Sequence, residues 1–87
     1  MEYNYPLDYT WSTSEIIDVI AFYNCIEEAY EKGITKESLM KAYRDFKVIV
    51  DSKSYEKQID KEFKEVSGYS IYEVIKKSKE TDFIKMV

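Results

Sequence analysis

The sequence contains no histidine, and it has one cysteine, one proline and two glycines among its 87 residues. Histidine is the commonest general base and metal-binding imidazole, so its absence removes most familiar catalytic and zinc sites. Cys25 has no second cysteine in the chain, which excludes an intramolecular disulfide and favours a reducing compartment. We therefore expect no catalytic residues, no metal and no cofactor.

Long apolar runs are also missing. No segment approaches the roughly 20 apolar residues that cross a bilayer. The N-terminus has neither the basic patch nor the apolar stretch of a signal peptide. These absences predict a soluble, cytoplasmic protein that has no membrane partner.

The formal net charge is −4 and is unevenly spread. Residues 1–33 contain seven acids and one lysine, which gives −6, whereas residues 34–87 contain ten acids and twelve bases, which gives +2. An acidic chain without a concentrated basic face makes nucleic acid an unfavourable partner. The acidic first third instead favours contact with a basic protein surface.

The residues that are abundant indicate helices. Hydrophobic residues make up 45% of the chain and charged residues 34%, and 14 side chains are aromatic. With so few glycines and prolines, this composition is typical of a helical protein rather than of a turn-rich all-β chain. The length predicts one domain, 1–87, near the lower limit of what a single core can stabilise.

Capping signals mark the helix starts. Ser12 and Glu15 form the pattern of a capping box, in which each side chain accepts a hydrogen bond from the other residue's backbone amide. Ser70 and Glu73 repeat the same pattern before the last helix. Thr35 is a cap without a box.

Helical ends and apolar periodicity complete the prediction. Gly33 and Gly68 stand where helices one and three should end, because glycine adopts the left-handed conformation of a C-terminal cap. Apolar residues at spacings of three and four then predict helices over about 13–32, 36–50, 53–67 and 71–80. Short connections favour a small up-and-down four-helix bundle, an all-α fold.

Residues 1–11 are different, because their apolar residues alternate. The alternation predicts an extended aromatic arm with one apolar face, made of Tyr3, Tyr5, Leu7, Tyr9 and Trp11. The rings either fill a groove between helices or pair with another chain, and the first alternative is favoured. At the other end, the apolar tail 81–87 either docks on the bundle or stays exposed.

Two clusters in helix one are candidate partner contacts. Glu27, Glu28 and Glu31 form an acidic face, for which solvation is favoured over binding of a divalent cation. Ile17, Ala21 and Cys25 lie on a second, narrow stripe, for which an intramolecular contact is favoured over an oligomer interface. A reactive thiol is disfavoured, since acidic neighbours oppose its ionisation.

Helices two and three also carry many lysines. Glutamates and aspartates are interleaved with them at one-turn spacings, which is ordinary charge patterning on a solvated helix. We therefore favour solvation over phosphate binding for these lysines.

The segments YPLDYTWSTSEI, EEAYEKGI, KAYRDFKVIV and EKQIDKEFKEVSGYSIYEVIKK, taken in this order and spacing, resemble the YktA-like uncharacterised protein family of Bacillus-type Gram-positive bacteria. The resemblance covers about residues 5–79 and implies a small cytoplasmic bacterial protein with a compact four-helix fold. It implies no activity and no site residues. In this chain Asp51 stands where it is able to cap helix three.

Our leading functional hypothesis is a non-enzymatic protein-protein interaction module that acts through the acidic face of helix one or through the arm. Its candidate partner contacts are Tyr3, Tyr5, Tyr9, Glu27, Glu28, Glu31, Ile17 and Cys25. One alternative is a helical bundle, enzymatic or ligand-binding, whose crevice is lined by tyrosine hydroxyls and a carboxylate. Another is a structural homodimer. The predicted oligomeric state is accordingly a monomer or a weak homodimer.

Overall fold

A computed structural model describes residues 4–86. It contains four helices, α1 (Thr13–Glu31), α2 (Lys36–Ile49), α3 (Lys53–Ser67) and α4 (Ile71–Ser78). Two short strands, β1 (Ile34–Thr35) and β2 (Phe83–Ile84), form one antiparallel pair. The prediction of a small all-α bundle is confirmed, and the strand pair is an addition that the sequence pattern did not indicate.

At the start of each helix, a serine or threonine side chain accepts a hydrogen bond from a backbone amide of the first turn. The capping box at α1 forms as predicted, with 3.2 Å from the Glu15 amide to Ser12 Oγ and 2.8 Å from the Ser12 amide to Glu15 Oε1. At α3 the predicted cap is wrong. Ser52, not Asp51, accepts the bond from the Tyr55 amide, at 3.1 Å.

The start of α4 shows how tertiary contacts alter a local motif. Ser70 Oγ accepts from the Glu73 amide at 3.2 Å, as the pattern predicts. The Ser70 amide, however, donates to Tyr30 Oη at 3.1 Å instead of forming the second bond of a capping box. Ser70 is buried and Glu73 is exposed. The hydroxyl from α1 therefore ties the α3–α4 connection to the bundle.

The core is built from α1 outward. Five residues of α1 are buried, Val19, Phe22, Tyr23, Ile26 and Ala29, and α1 packs most extensively against α2. The ring of Phe22 stacks on Phe46 of α2 with 4.5 Å between centroids. The ring of Tyr23 stacks on Phe63 of α3 at 4.9 Å. Each such pair adds about 1 kcal/mol beyond the apolar area it buries.

The C-terminal segment docks on the bundle, which decides between the two alternatives for residues 81–86. Ile84 is fully buried and pairs with Ile34 across the strands. The Met86 amide donates to the Ala29 carbonyl at 2.9 Å, near the end of α1. The segment therefore completes the core beside the α1–α2 connection. Val87 lies outside the described residues.

The arm departs from the predicted alternation after Tyr5. Tyr5 and Trp11 pack against the core as expected. Between them the chain turns, because the Trp11 amide donates to the Asp8 carbonyl at 3.1 Å. The turn leaves Tyr9 fully exposed, so the prediction that its ring shares the face of Tyr5 is wrong. Tyr3 lies outside the described residues.

Both glycines have the predicted positive φ, +96° at Gly33 and +81° at Gly68, but their surroundings differ. A Cβ on Gly33 would lie 2.5 Å from the Phe83 ring, whereas a Cβ on Gly68 would have no neighbour within 4 Å. Gly68→Ala should therefore cost only the left-handed strain, about 1 kcal/mol. Gly33→Ala should cost about 1 kcal/mol more, because the ring must move.

Urea unfolding of the two variants measures this difference. In a Phe83→Ala background the additional cost of Gly33→Ala should disappear, since the obstructing ring is gone. Equal losses for both glycine variants in the parent chain would contradict the role given to Phe83.

Candidate functional site

Tyr5 anchors the arm between α1 and α3. Its ring lies 5.3 Å from that of Tyr23 and 6.2 Å from that of Phe63. Its hydroxyl lies 2.9 Å from Glu27 Oε1 and 3.1 Å from Asn24 Oδ1, so one proton is shared between two acceptors on α1. Burial raises the pKa of Tyr5, and the nearby Glu31 charge raises it further. Tyr5 is therefore part of the fold.

Asp8 holds the turn of the arm from three directions. Its carboxylate accepts from the Thr10 amide at 2.8 Å and from the Thr10 hydroxyl at 2.7 Å. The Tyr55 hydroxyl of α3 donates to Asp8 Oδ2 at 2.6 Å. The Tyr55 and Thr10 hydrogen bonds lower the pKa of Asp8. An aspartate that the alternation places on the outer face is thus a structural acceptor.

Two further contacts close the arm onto the bundle. The Tyr23 hydroxyl donates to the Pro6 carbonyl at 2.7 Å. The Trp11 ring packs 6.1 Å from that of Tyr55. The segment from residue 6 to residue 10, here called the arm loop, is therefore fixed at both ends.

The arm loop presents apolar side chains to solvent. Leu7 is 43% exposed and Tyr9 is fully exposed, although the residues on either side of the loop are packed. Beside them lies a shallow cavity of about 270 Å³ between the loop and α3. This cavity, here called the arm cleft, is lined by Pro6, Leu7, Asp8, Tyr9, Trp11, Tyr55, Gln58, Ile59 and Glu62.

The predicted acidic face is largely occupied by hydrogen bonds within the chain. Glu31 Oε2 accepts from the Tyr69 hydroxyl at 3.0 Å, and the Tyr69 ring stacks on Tyr30 at 4.4 Å. Glu27 accepts from Tyr5, and its pKa is raised by burial and then by the Glu31 charge. Glu28 is half-buried. Glu27 therefore holds the arm, and Glu31 holds the α3–α4 connection, against α1.

The second predicted stripe is exposed at one end and packed at the other. Ile17 is 62% exposed and Ala21 is also exposed, whereas Cys25 is half-buried and packs against the core. Burial raises the pKa of the Cys25 thiol, and the Glu28 charge raises it further. An acidic neighbour opposing ionisation is the cause that the sequence indicated, although burial is the larger effect.

A further cavity of about 300 Å³ lies where α2, α3 and α4 meet. This cavity, here called the lysine groove, is lined by Tyr43, Lys47, Lys53, Glu56, Lys57, Asp60, Ile71, Tyr72, Ile75 and Lys79. Sequence patterning missed this groove, since it assigned the lysines to solvated helix faces. No sequence pattern signals the groove, because it places Ile75 and Tyr72 of α4 beside lysines that come from other helices.

Comparison with known proteins identifies the family. The sequence model of the uncharacterised protein family UPF0223 matches residues 2–86. The chain belongs to the UPF0223 family. The resemblance to YktA-like proteins is thereby confirmed.

Individual UPF0223 proteins align over almost the entire chain. A UPF0223 protein of Bacillus cytotoxicus is 63% identical over 87 residues, covering 100% of this chain and 98% of that protein. YktA of Bacillus subtilis is 50% identical over 86 residues, covering 99% and 98%. A UPF0223 protein of Streptococcus uberis is 54% identical over 80 residues, covering 92% and 87%. The family is uncharacterised, so none of these relatives supplies an activity.

Between residues 4 and 86, no three His, Cys, Asp or Glu residues are grouped so as to hold a metal ion. Over the same part of the chain, no helix combines the length and apolar character needed to cross a membrane.

Because Tyr5 is wedged among rings and Tyr9 is not, the two tyrosines should differ in their effect on stability. Tyr5→Ala should lower the free energy of unfolding by about 2–3 kcal/mol, less than the usual loss for a fully buried aromatic ring, because Tyr5 is only partly buried. Tyr9→Ala should change it by less than about 0.5 kcal/mol. Urea titrations followed by circular dichroism measure both values. Similar losses for the two variants would show that the exposed ring also supports the fold.

The hydrogen bonds to Asp8 predict a pH dependence. The native pKa lies below the ordinary value of 3.8, so as pH falls the unfolded chain takes up this proton more readily than the native protein. Stability from Asp8 is present above about pH 4 and is lost as pH falls through the native pKa. Asp8→Asn should therefore lose less stability between pH 6 and pH 3 than the parent chain does.

Urea midpoints at the two pH values check this expectation. The matched control is Asp45→Asn on the exposed side of α2, which should keep the pH dependence of the parent. An Asp8→Asn variant as acid-sensitive as the parent would refute the assignment.

Proposed function

We propose that this UPF0223 protein is a non-enzymatic protein-interaction module whose contact surface is the arm loop with the adjoining arm cleft. The observation that carries the proposal is the full exposure of Tyr9 on a loop fixed at both ends. The loop exposes the ring of Tyr9 completely and the side chain of Leu7 to 43%, so both present apolar surface to solvent. Tyrosines of this kind are enriched among the residues that dominate binding energy at protein interfaces.

The loop is also ordered before any partner arrives. Asp8 holds the turn with bonds from Thr10 and Tyr55, and Tyr5 and Trp11 anchor its ends. A partner would therefore bind without the cost of ordering the segment, which weakens most loop-mediated contacts. The cleft beside the loop is large enough for one or two apolar side chains.

The chemistry of the cleft indicates the kind of partner. Asp8 and Glu62 lie at a cleft whose other lining residues carry no positive charge. The first 33 residues also have a net charge of −6, by seven acids against one lysine. A partner that offers an apolar side chain surrounded by lysine or arginine would fit both features. The proposal thus retains the arm as contact surface and gives Glu27 and Glu31 a structural role.

A cytoplasmic location is part of the proposal. It is supported by the single free cysteine, Cys25, which favours a reducing compartment.

Site-specific photo-crosslinking in cells that express the protein tests the contact surface. The photoreactive amino acid p-benzoylphenylalanine replaces Tyr9, and in a matched control it replaces Val48, which is 81% exposed on α2. The Tyr9 position should yield a discrete adduct that the Val48 position does not. Adding Leu7→Ala should reduce the adduct several-fold while the unfolding midpoint stays unchanged.

The mass and composition of the adduct decide between partners. A second protein with a basic, apolar contact region supports the proposal. An adduct made of two copies of this chain would favour a homodimer instead. Identical adducts from both positions, or none from Tyr9, would overturn the proposal.

A further inference from the structure

The lysine groove has an excess of positive charge that the fold does not use. Four lysines line it against two acids, Glu56 and Asp60, which leaves a net charge of +2. Both acids have partners within the fold. Glu56 accepts from Lys47 Nζ at 2.6 Å and from the Tyr43 hydroxyl at 3.0 Å. Asp60 Oδ1 accepts from the Ile71 amide at 2.9 Å, at the start of α4.

The remaining three lysines are not compensated in this way. Among residues 4–86, Lys53, Lys57 and Lys79 have no carboxylate within 4 Å of their ammonium groups. Lys53 and Lys57 lie on α3, Lys79 directly follows the last residue of α4, and all three line one cavity. The groove therefore gathers three lysines that form no ion pair within the described chain.

The groove also has apolar lining residues. Ile71 and Ile75 of α4 line it, and the neighbouring Tyr72 is 62% exposed. Residues four apart on a helix are separated by about 6 Å along its axis. Lys53 and Lys57 on α3 therefore form a cationic row, and Ile71 and Ile75 form an apolar row with the same repeat.

The walls of the groove decide the shape of a complementary protein segment. They are helices, whose backbone amides and carbonyls are bonded internally, so an extended strand would find no edge with which to pair. An amphipathic helix brings its own backbone bonds and inserts only side chains. Carboxylates one turn apart on such a helix would match the lysine row.

We propose that the lysine groove binds an acidic amphipathic helix of another protein, with apolar side chains against Ile71 and Ile75 and carboxylates at Lys53, Lys57 and Lys79. This site is separate from the arm cleft and has the opposite charge. It does not depend on the function proposed for the arm.

Nuclear magnetic resonance titration of the full chain tests the proposal. The probe is a synthetic helical peptide with leucines every three to four residues among glutamates. Its matched control keeps the leucines and replaces every glutamate with lysine. The acidic peptide should cause saturable amide shifts confined to the residues that line the groove, and the basic peptide should not.

Substitutions locate the binding charges. Lys53→Gln with Lys57→Gln should weaken binding of the acidic peptide roughly fivefold, since exposed ion pairs contribute modestly. Lys61→Gln with Lys64→Gln removes the same charge from exposed positions of α3 outside the groove, and it should leave the affinity within about twofold. Leu7→Ala with Tyr9→Ala should likewise leave it unchanged, which separates this site from the arm.

Three results would overturn the proposal. They are the absence of saturable shifts up to about 1 mM peptide, equal weakening by the two lysine pairs, and equally strong binding of a small carboxylate such as benzoate. The last result would assign the cavity to a small anionic molecule. The four substituted lysines, Lys53, Lys57, Lys61 and Lys64, are exposed, so each variant should keep the fold of the parent. Circular dichroism of each variant checks this.

Discussion

The fold depends on the packing of one buried ring, that of Tyr23. It contacts Phe46 of α2 at 6.4 Å, Phe63 of α3 at 4.9 Å and Tyr5 of the arm at 5.3 Å. Its hydroxyl also reaches the Pro6 carbonyl. A chain of this length has little interior volume, and aromatic side chains bury more area than any others. A single residue of α1 therefore holds three other parts of the molecule in place.

This arrangement creates a problem that the acidic residues solve. Rings packed at the edge of a small core bring their hydroxyls close to apolar surroundings, where an unpaired hydroxyl is costly. Carboxylates accept from four of them, in the pairs Tyr5–Glu27, Tyr43–Glu56, Tyr55–Asp8 and Tyr69–Glu31. Glu27 and Glu31, which the sequence indicates as part of a binding face, are thus acceptors of hydrogen bonds within the chain. The surfaces left for partners are those that this bonding does not use.

Features set by neighbouring residues were predictable, and features set by distant ones were not. The box of Ser12 and Glu15 is local, so the sequence placed it correctly. The turn at Asp8 is also local, since Asp8 accepts from Thr10 two residues on. That turn signal is weaker than the apolar alternation, which predicted an extended arm instead. The strand pair joins Ile34 to Ile84, and the lysine groove gathers residues from three helices. Neither juxtaposition has a sequence period, so only the tertiary structure displays it.

The two proposed surfaces share α3, and this limits how they can work together. Ile59 lines the arm cleft and Lys57 lines the lysine groove, only two residues away on the same helix. Buried Ile59 and Phe63 pack α3 against the core, where Phe63 stacks on the ring of Tyr23. A rigid helix between sites of opposite charge suits a protein that holds a basic partner and an acidic partner at a fixed separation. It suits poorly a protein in which one partner changes the shape of the other's site.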